Sequence, residues 1–161
     1  DEWLVAHLTE YQGKALQSVA KGSLDLGELE DSKEKDEQEK VQKDFADVVT
    51  KFKEVLADKV KDVRITHRLT TSPACIVADE NDMGIHVQRM LKAAGQDVPT
   101  SKPILELNPE HPFLKRLHSN LESPDLTDWC NVLLGQAILA EGGQLEDPAA
   151  FVTRMNELLL K

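Results

Sequence analysis

Residues 123–161 read SPDLTDWCNVLLGQAILAEGGQLEDPAAFVTRMNELLLK, two helices punctuated clearly enough for the rest of the fold to be read outward from them. Ser123-Pro124 opens the first helix, because a hydroxyl can cap the first free N–H groups and Pro suits an N-terminal turn. Leu126, Trp129, Leu133, Ala137 and Ala140 then recur at helical spacing, and Gly142-Gly143 closes the helix. Asp147-Pro148 opens a second helix through Phe151, Met155, Leu158 and Leu159. The short connection predicts an αα-hairpin. Cys130, Leu134 and Ile138 form another apolar row on the first helix. Its apolar arc is therefore wider than one partner helix covers, and a sheet layer or another subunit must take the remainder.

Upstream, Pro103-Ile104-Leu105-Glu106-Leu107 reads as a strand. Asn108-Pro109 then reads as an N-cap with Pro at N1, opening a short helix through Phe113, Leu114 and Leu117 with Pro112 in its first turn. Val63 to Leu69 alternates strictly between apolar and polar, and Cys75-Ile76-Val77-Ala78 is continuously apolar. The turn residues Thr71-Ser72-Pro73 between them predict a hairpin of one half-exposed and one buried strand. Before these, Val41, Phe45, Val48, Phe52 and Val55 form an apolar stripe on a packed helix. Asp79-Glu80-Asn81-Asp82 caps another helix bearing Met83, Val87, Met90, Leu91 and Ala94, with Gly95 at C′.

Residues 28–47 carry nine acids and four lysines, half the net charge of the chain, with no apolar residue between Leu29 and Val41. Such a segment cannot bury enough apolar surface to fold alone and reads as a solvated linker. Ahead of it, Trp3, Leu4, His7, Leu8 and Tyr11 stand at helical spacing, Gly13-Lys14 breaks the pattern, and Ala15 to Val19 is strand-like. This stretch reads as the tail of another domain. The absence of an initiator Met and the abrupt start at Asp1-Glu2-Trp3 predict a piece cut from a longer chain.

A chain of 161 residues can support a real core without disulfide or metal staples. Its 19 Lys and Arg against 29 Asp and Glu give a net charge of −10, which argues against nucleic acid or an anionic membrane as partner. Aromatics are 4% of residues, too few for base-stacking platforms. No apolar run has the length of a membrane span, and Asp1-Glu2-Trp3 does not begin a signal peptide. Cys75 and Cys130 have no C-x-x-C companion, which fits a reducing compartment rather than a disulfide framework.

Motifs for chemistry are missing. There is no nucleophile elbow, phosphate-binding loop, dinucleotide fingerprint or H-E-x-x-H. His111 and His118 are two turns apart and lack the companions a zinc site needs, so they read as surface or capping residues. His67, in phase with Val63, Ile65 and Leu69, reads as a core or rim histidine. The carboxylates cluster in the linker and on helix faces, where solvation accounts for them. The row Met83, Val87, Met90, Leu91 has two readings, a core filler or an adaptable binding face, and spacing alone favours the core.

Several blocks together resemble a known family. They are the run from Val60 through Val63-Arg64-Ile65-Thr66-His67-Arg68-Leu69 to Thr70, then Glu106-Leu107-Asn108-Pro109, Leu145-Glu146-Asp147-Pro148 and Arg154-Met155-Asn156. In this order they closely resemble the C-terminal region of the bacterial ninety-kilodalton heat-shock chaperones, over essentially the whole chain. The resemblance makes residues 1–30 the end of the chaperone's middle domain plus a junction, and 31–161 its C-terminal dimerisation domain. The fold it implies is α+β: a small three-stranded sheet packed with helices, whose final hairpin forms a four-helix bundle in the homodimer. Trp129, Leu133, Leu134, Ala137, Ile138, Phe151, Met155, Leu158 and Leu159 are then divided between intrachain core and dimer interface.

By the same resemblance, Glu2, Trp3 and Ala6 with Met83, Val87, Met90 and Leu91 contribute to binding unfolded or partly folded client proteins, which favours an exposed Met row. The compared chaperone has Asn at Ala6, Met at Val87, Leu at Met90 and Phe at Leu91, so this less aromatic row is expected to hold clients more weakly. ATP and Mg belong to an N-terminal domain absent from this sequence, so no catalytic, cofactor or metal residues are expected here and the fragment is not an enzyme. The end Leu158-Leu159-Leu160-Lys161 lacks the acidic tail by which eukaryotic relatives recruit tetratricopeptide co-chaperones, so those partners are not expected. A cytoplasmic homodimer is the resulting expectation. The alternative is a monomeric adaptor that binds a partner through the Met83 and Met90 helix face, recognisable as a monomer with a large exposed apolar patch.

Overall fold

The computed structural model describes residues 8–16, 39–79, 82, 87, 88, 90, 91, 94–96 and 101–160. They fall into two units, residues 1–26 with 77–101 and residues 27–76 with 102–161.

In the first unit, Glu10–Tyr11 (β1) and Lys14–Ala15 (β2) pair antiparallel, Glu10 opposite Ala15 and Tyr11 opposite Lys14. Gln12 and Gly13 between them both have positive φ, 52° and 77°, the backbone of a tight hairpin turn whose twist matches its strands. This turn overrides the helical spacing expected up to Tyr11, and the second strand begins at Lys14 rather than Ala15. Trp3, Leu4, His7 and residues 17–19 lie outside the described residues. In the Met-row segment, residues 87, 88, 90 and 91 are helical, and the Gln96 N–H closes on the Leu91 carbonyl at 3.0 Å around Gly95, as the C′ position predicts.

The second unit is built on a helix and a sheet. Ala46–Leu56 (α1) follows a helical stretch at 39–44 and buries Val48, Phe52 and Leu56, with Phe45 also buried at its N-cap. Leu56, not Val55, completes the stripe, because four-residue steps from Val48 keep one side of the helix in the core. The strands are Asp62–Ile65 (β3), Ala74–Val77 (β4) and Ile104–Leu107 (β5). All four residues of β5 are buried, and the sheet order β3-β5-β4 places it in the centre.

The hairpin expected between β3 and β4 therefore does not form. β5 inserts between them and runs parallel to β3, with Val63 opposite Leu105, Arg64 opposite Glu106 and Ile65 opposite Leu107. Burial on both faces is what a central strand requires, and β5 satisfies it better than either neighbour. The intervening loop is pinned at the end of β5: the Asn108 N–H donates to the Pro73 carbonyl at 2.9 Å, and its carboxamide donates to Leu69 at 3.2 Å and Ser72 at 3.1 Å. Asn108 is thus a loop staple rather than the expected N-cap. His111 is the residue that caps the next helix, Pro112–His118 (α2), its Nδ1 accepting the Phe113 N–H at 3.2 Å. At the other end of α2, the His118 ring stacks on Phe45 with centroids 4.8 Å apart. Because β3 stops at Ile65, its alternation does not reach His67, which is exposed rather than in the core or rim.

The polar side of this sheet carries a buried ion cluster. Glu106 is only 3% exposed. One carboxylate oxygen, Oε1, accepts from Arg64 Nε at 2.9 Å and from its guanidinium Nη2 at 2.6 Å; the other, Oε2, meets Arg68 Nε at 2.6 Å. Cys75 on β4 completes the row, its Sγ 3.6 Å from Arg68 Nη2 and 3.7 Å from Glu106 Oε2. Two guanidinium groups thus compensate one desolvated carboxylate across strands distant in sequence. Removing the charge from Glu106 leaves both arginines without their buried counter-ion. Glu106→Gln is expected to lower stability by about 3 kcal/mol, read as a lower urea midpoint at unchanged slope; a midpoint equal to that of the unmodified chain would show that the cluster adds nothing.

Candidate interaction surfaces

The last two helices are Leu126–Ala140 (α3) and Pro148–Leu159 (α4). α3 begins at Leu126 rather than at the Ser123-Pro124 pair. Ser123 instead shapes the preceding turn, its hydroxyl accepting the Asp125 N–H at 3.3 Å and its carbonyl the Leu126 N–H at 3.1 Å. At the other end Gly142 takes a φ of 70°, which lets Gly143 N–H reach the Ile138 carbonyl at 2.8 Å and Gly142 N–H the Leu139 carbonyl at 2.9 Å. These paired bonds satisfy the last carbonyls of α3 and turn the chain sharply. Asp147 caps α4 as the sequence predicts, accepting the Ala150 N–H at 2.9 Å, with Pro148 in the first turn.

The two helices meet closely at Gly135. A Cβ added there would lie 2.6 Å and 2.7 Å from two ring carbons of Phe151, closer than van der Waals contact allows. The absent side chain is therefore what admits the Phe151 ring against α3. Arg154 and Asp128 form an ion pair at 3.5 Å across the same pair of helices.

This packing divides the apolar residues of the hairpin. Leu133, Leu134, Ala137 and Leu158 are buried within the single chain. Trp129 is partly exposed and meets Phe113 of α2 edge-on at 4.8 Å, while Ile138, Phe151 and Met155 are likewise partly covered. Leu159 is 72% exposed, and so are three residues that the apolar rows read from the sequence pass over: Leu139 at 46%, Val152 at 54% and Leu160 at 88%. On α4, Val152, Met155 and Leu159 stand three and seven residues apart and share one face. The signal for Val152 and Leu139 was present, because each is the apolar neighbour just beyond a row already counted; what the sequence lacks is the rotation of each helix about its axis, which the Gly135 contact fixes.

Of the residues expected to hold clients, Glu2, Trp3, Ala6 and Met83 lie outside the described residues. Val87 and Met90 are exposed, Met90 by 72%, and Leu91 is partly exposed. The core reading favoured by spacing alone therefore fails at Val87 and Met90. Cys130 on α3 is buried, which pushes its thiol up to about 12. Burial also raises the Cys75 thiol, partly offset by the hydrogen bond from Arg68. Neither thiol is poised as a nucleophile. Among the described residues no group of three His, Cys, Asp or Glu could hold a metal ion, and no helix is long and apolar enough to cross a membrane.

β3, Arg68, the Glu106-Leu107 end of β5 with Asn108 after it, and the capped start of α4 come from the blocks of sequence that carry the resemblance. The whole chain, residues 1–161, matches the Hsp90 protein family. The chain belongs to the Hsp90 family. It is 60% identical over 161 residues to the chaperone protein HtpG of Nitrosomonas europaea, 100% of this chain and 25% of that protein. It is 58% identical over 160 residues to HtpG of Coxiella burnetii, 99% of this chain and 25% of that protein. HtpG of Paraburkholderia xenovorans is 59% identical over 160 residues, with the same coverage of 99% and 25%. The chain spans about a quarter of the length of these Hsp90 relatives.

Two outcomes follow from the hairpin geometry. Gly135→Val drives a side chain into the Phe151 ring and is expected to cost about 1–3 kcal/mol, as overpacking does; adding Phe151→Ala should recover part of the loss, and strict additivity in thermal unfolding would contradict the contact. Burial holds the Cys130 thiol up at about 12, so at pH 8 it stays in the unreactive thiol form. Iodoacetamide at that pH should leave it unmodified in the folded chain and alkylate it in urea, as read by peptide mass spectrometry; rapid labelling of the native protein would contradict its burial.

Proposed function

We propose that these residues are the homodimerisation module of a bacterial ATP-dependent molecular chaperone and supply part of its client-binding surface. The observation that carries the reading is the exposure of four large apolar side chains on the closing hairpin, Leu139, Val152, Leu159 and Leu160, after it has packed on its own chain. A symmetric pair of such hairpins covers both faces at once, each copy offering the other the same patch, and gives a four-helix bundle. The partly covered Met155 lies on the same α4 face as Val152 and Leu159, Ile138 and Phe151 are also partly covered, and Leu133, Leu134, Ala137 and Leu158 are buried in the core. Residues 1–30 are the end of the middle domain with its junction, and 31–161 the dimerisation domain.

In the whole chaperone, ATP and Mg are held by an N-terminal domain, and these 161 residues alone turn over no nucleotide. Their contribution is a permanent tether. Joining two copies makes the meeting of their ATPase domains intramolecular, at an effective concentration on the order of millimolar for short flexible tethers. Contact energy in the hairpin thus becomes cooperativity between distant domains. Clients are unfolded or partly folded chains, which the adaptable Met90 and Val87 face suits because an unbranched thioether conforms to varied apolar partners. The module works in the cytoplasm, without nucleic acid or membrane as partner.

A charge on the open face tests the reading. Leu159→Glu and Val152→Glu are each expected to weaken the dimer by at least about a hundredfold while leaving the circular dichroism of the chain intact, since both side chains are exposed in the single copy. A folded variant that stays dimeric on dilution would contradict the assignment. On the client side, Met90→Ser should weaken capture of an unfolded model protein about fivefold, or ~1 kcal/mol, without changing the solution mass; unchanged suppression of aggregation would remove Met90 from the client surface.

A further inference from the structure

We draw no further inference here: the strongest candidate, the exposed apolar patch of Leu8, Tyr11 and Leu16 along the β1–β2 ribbon, carries none because nothing among the described residues shows what covers it.

Discussion

The close approach of α3 and α4 at Gly135 is the constraint on which the closing hairpin depends. With only a hydrogen there, the Phe151 ring enters the space a side chain would fill, and the rotation of both helices about their axes is set. Leu133, Leu134 and Leu158 then fall on the inside, while Val152, Leu159 and Leu139 stay exposed. A helix apolar nearly all round is normally buried on every side. In this hairpin one chain supplies only part of that burial, and the proposed second copy is what covers the rest.

The sheet is held together by a different means. β5 lies between β3 and β4, so the side chains of Arg64, Glu106 and Cys75 come from three segments separated by loops and a helical insertion. Pairing one buried carboxylate with two guanidinium groups is a weak source of net stability, since desolvation offsets most of the attraction, but it penalises any arrangement that leaves Glu106 alone. Strand order is enforced in this way without adding apolar bulk. The Asn108 carboxamide does similar work for the loop, holding Leu69 and Ser72 at the end of β5.

Local punctuation was legible in the sequence and lateral placement was not. Asp147, Pro148, Gly142 and Gly95 act where their side chains, or the lack of one, predict, because a cap is a contact within one turn of chain. The order of the strands depends on which segment best tolerates burial on both faces. Ile104 to Leu107 reads from the sequence only as a strand, and the turn residues Thr71-Ser72-Pro73 between the other two segments favour a β3–β4 hairpin. A lone acid in an apolar strand was the sign of the buried cluster, since Glu106 could be buried only with cations beside it. Asn108 does not cap for a related reason: the turn at 108–111 satisfies it locally and moves the helix start to Pro112, where His111 caps, one of the roles read for it from the sequence. The Met row and the hairpin rows are visible in the sequence as apolar stripes, but periodicity alone does not say which stripe faces water.

On the proposed function the open hairpin face joins two copies, and the most direct measurement is the solution mass of the unmodified chain. Light scattering coupled to size exclusion, followed through a roughly hundredfold dilution, separates a dimer from a concentration-driven aggregate. A mass of twice 18.0 kDa that survives dilution is the predicted result. A stable mass of 18.0 kDa at every concentration would mean that Leu139, Val152, Leu159 and Leu160 face water in a monomer, and would contradict the account.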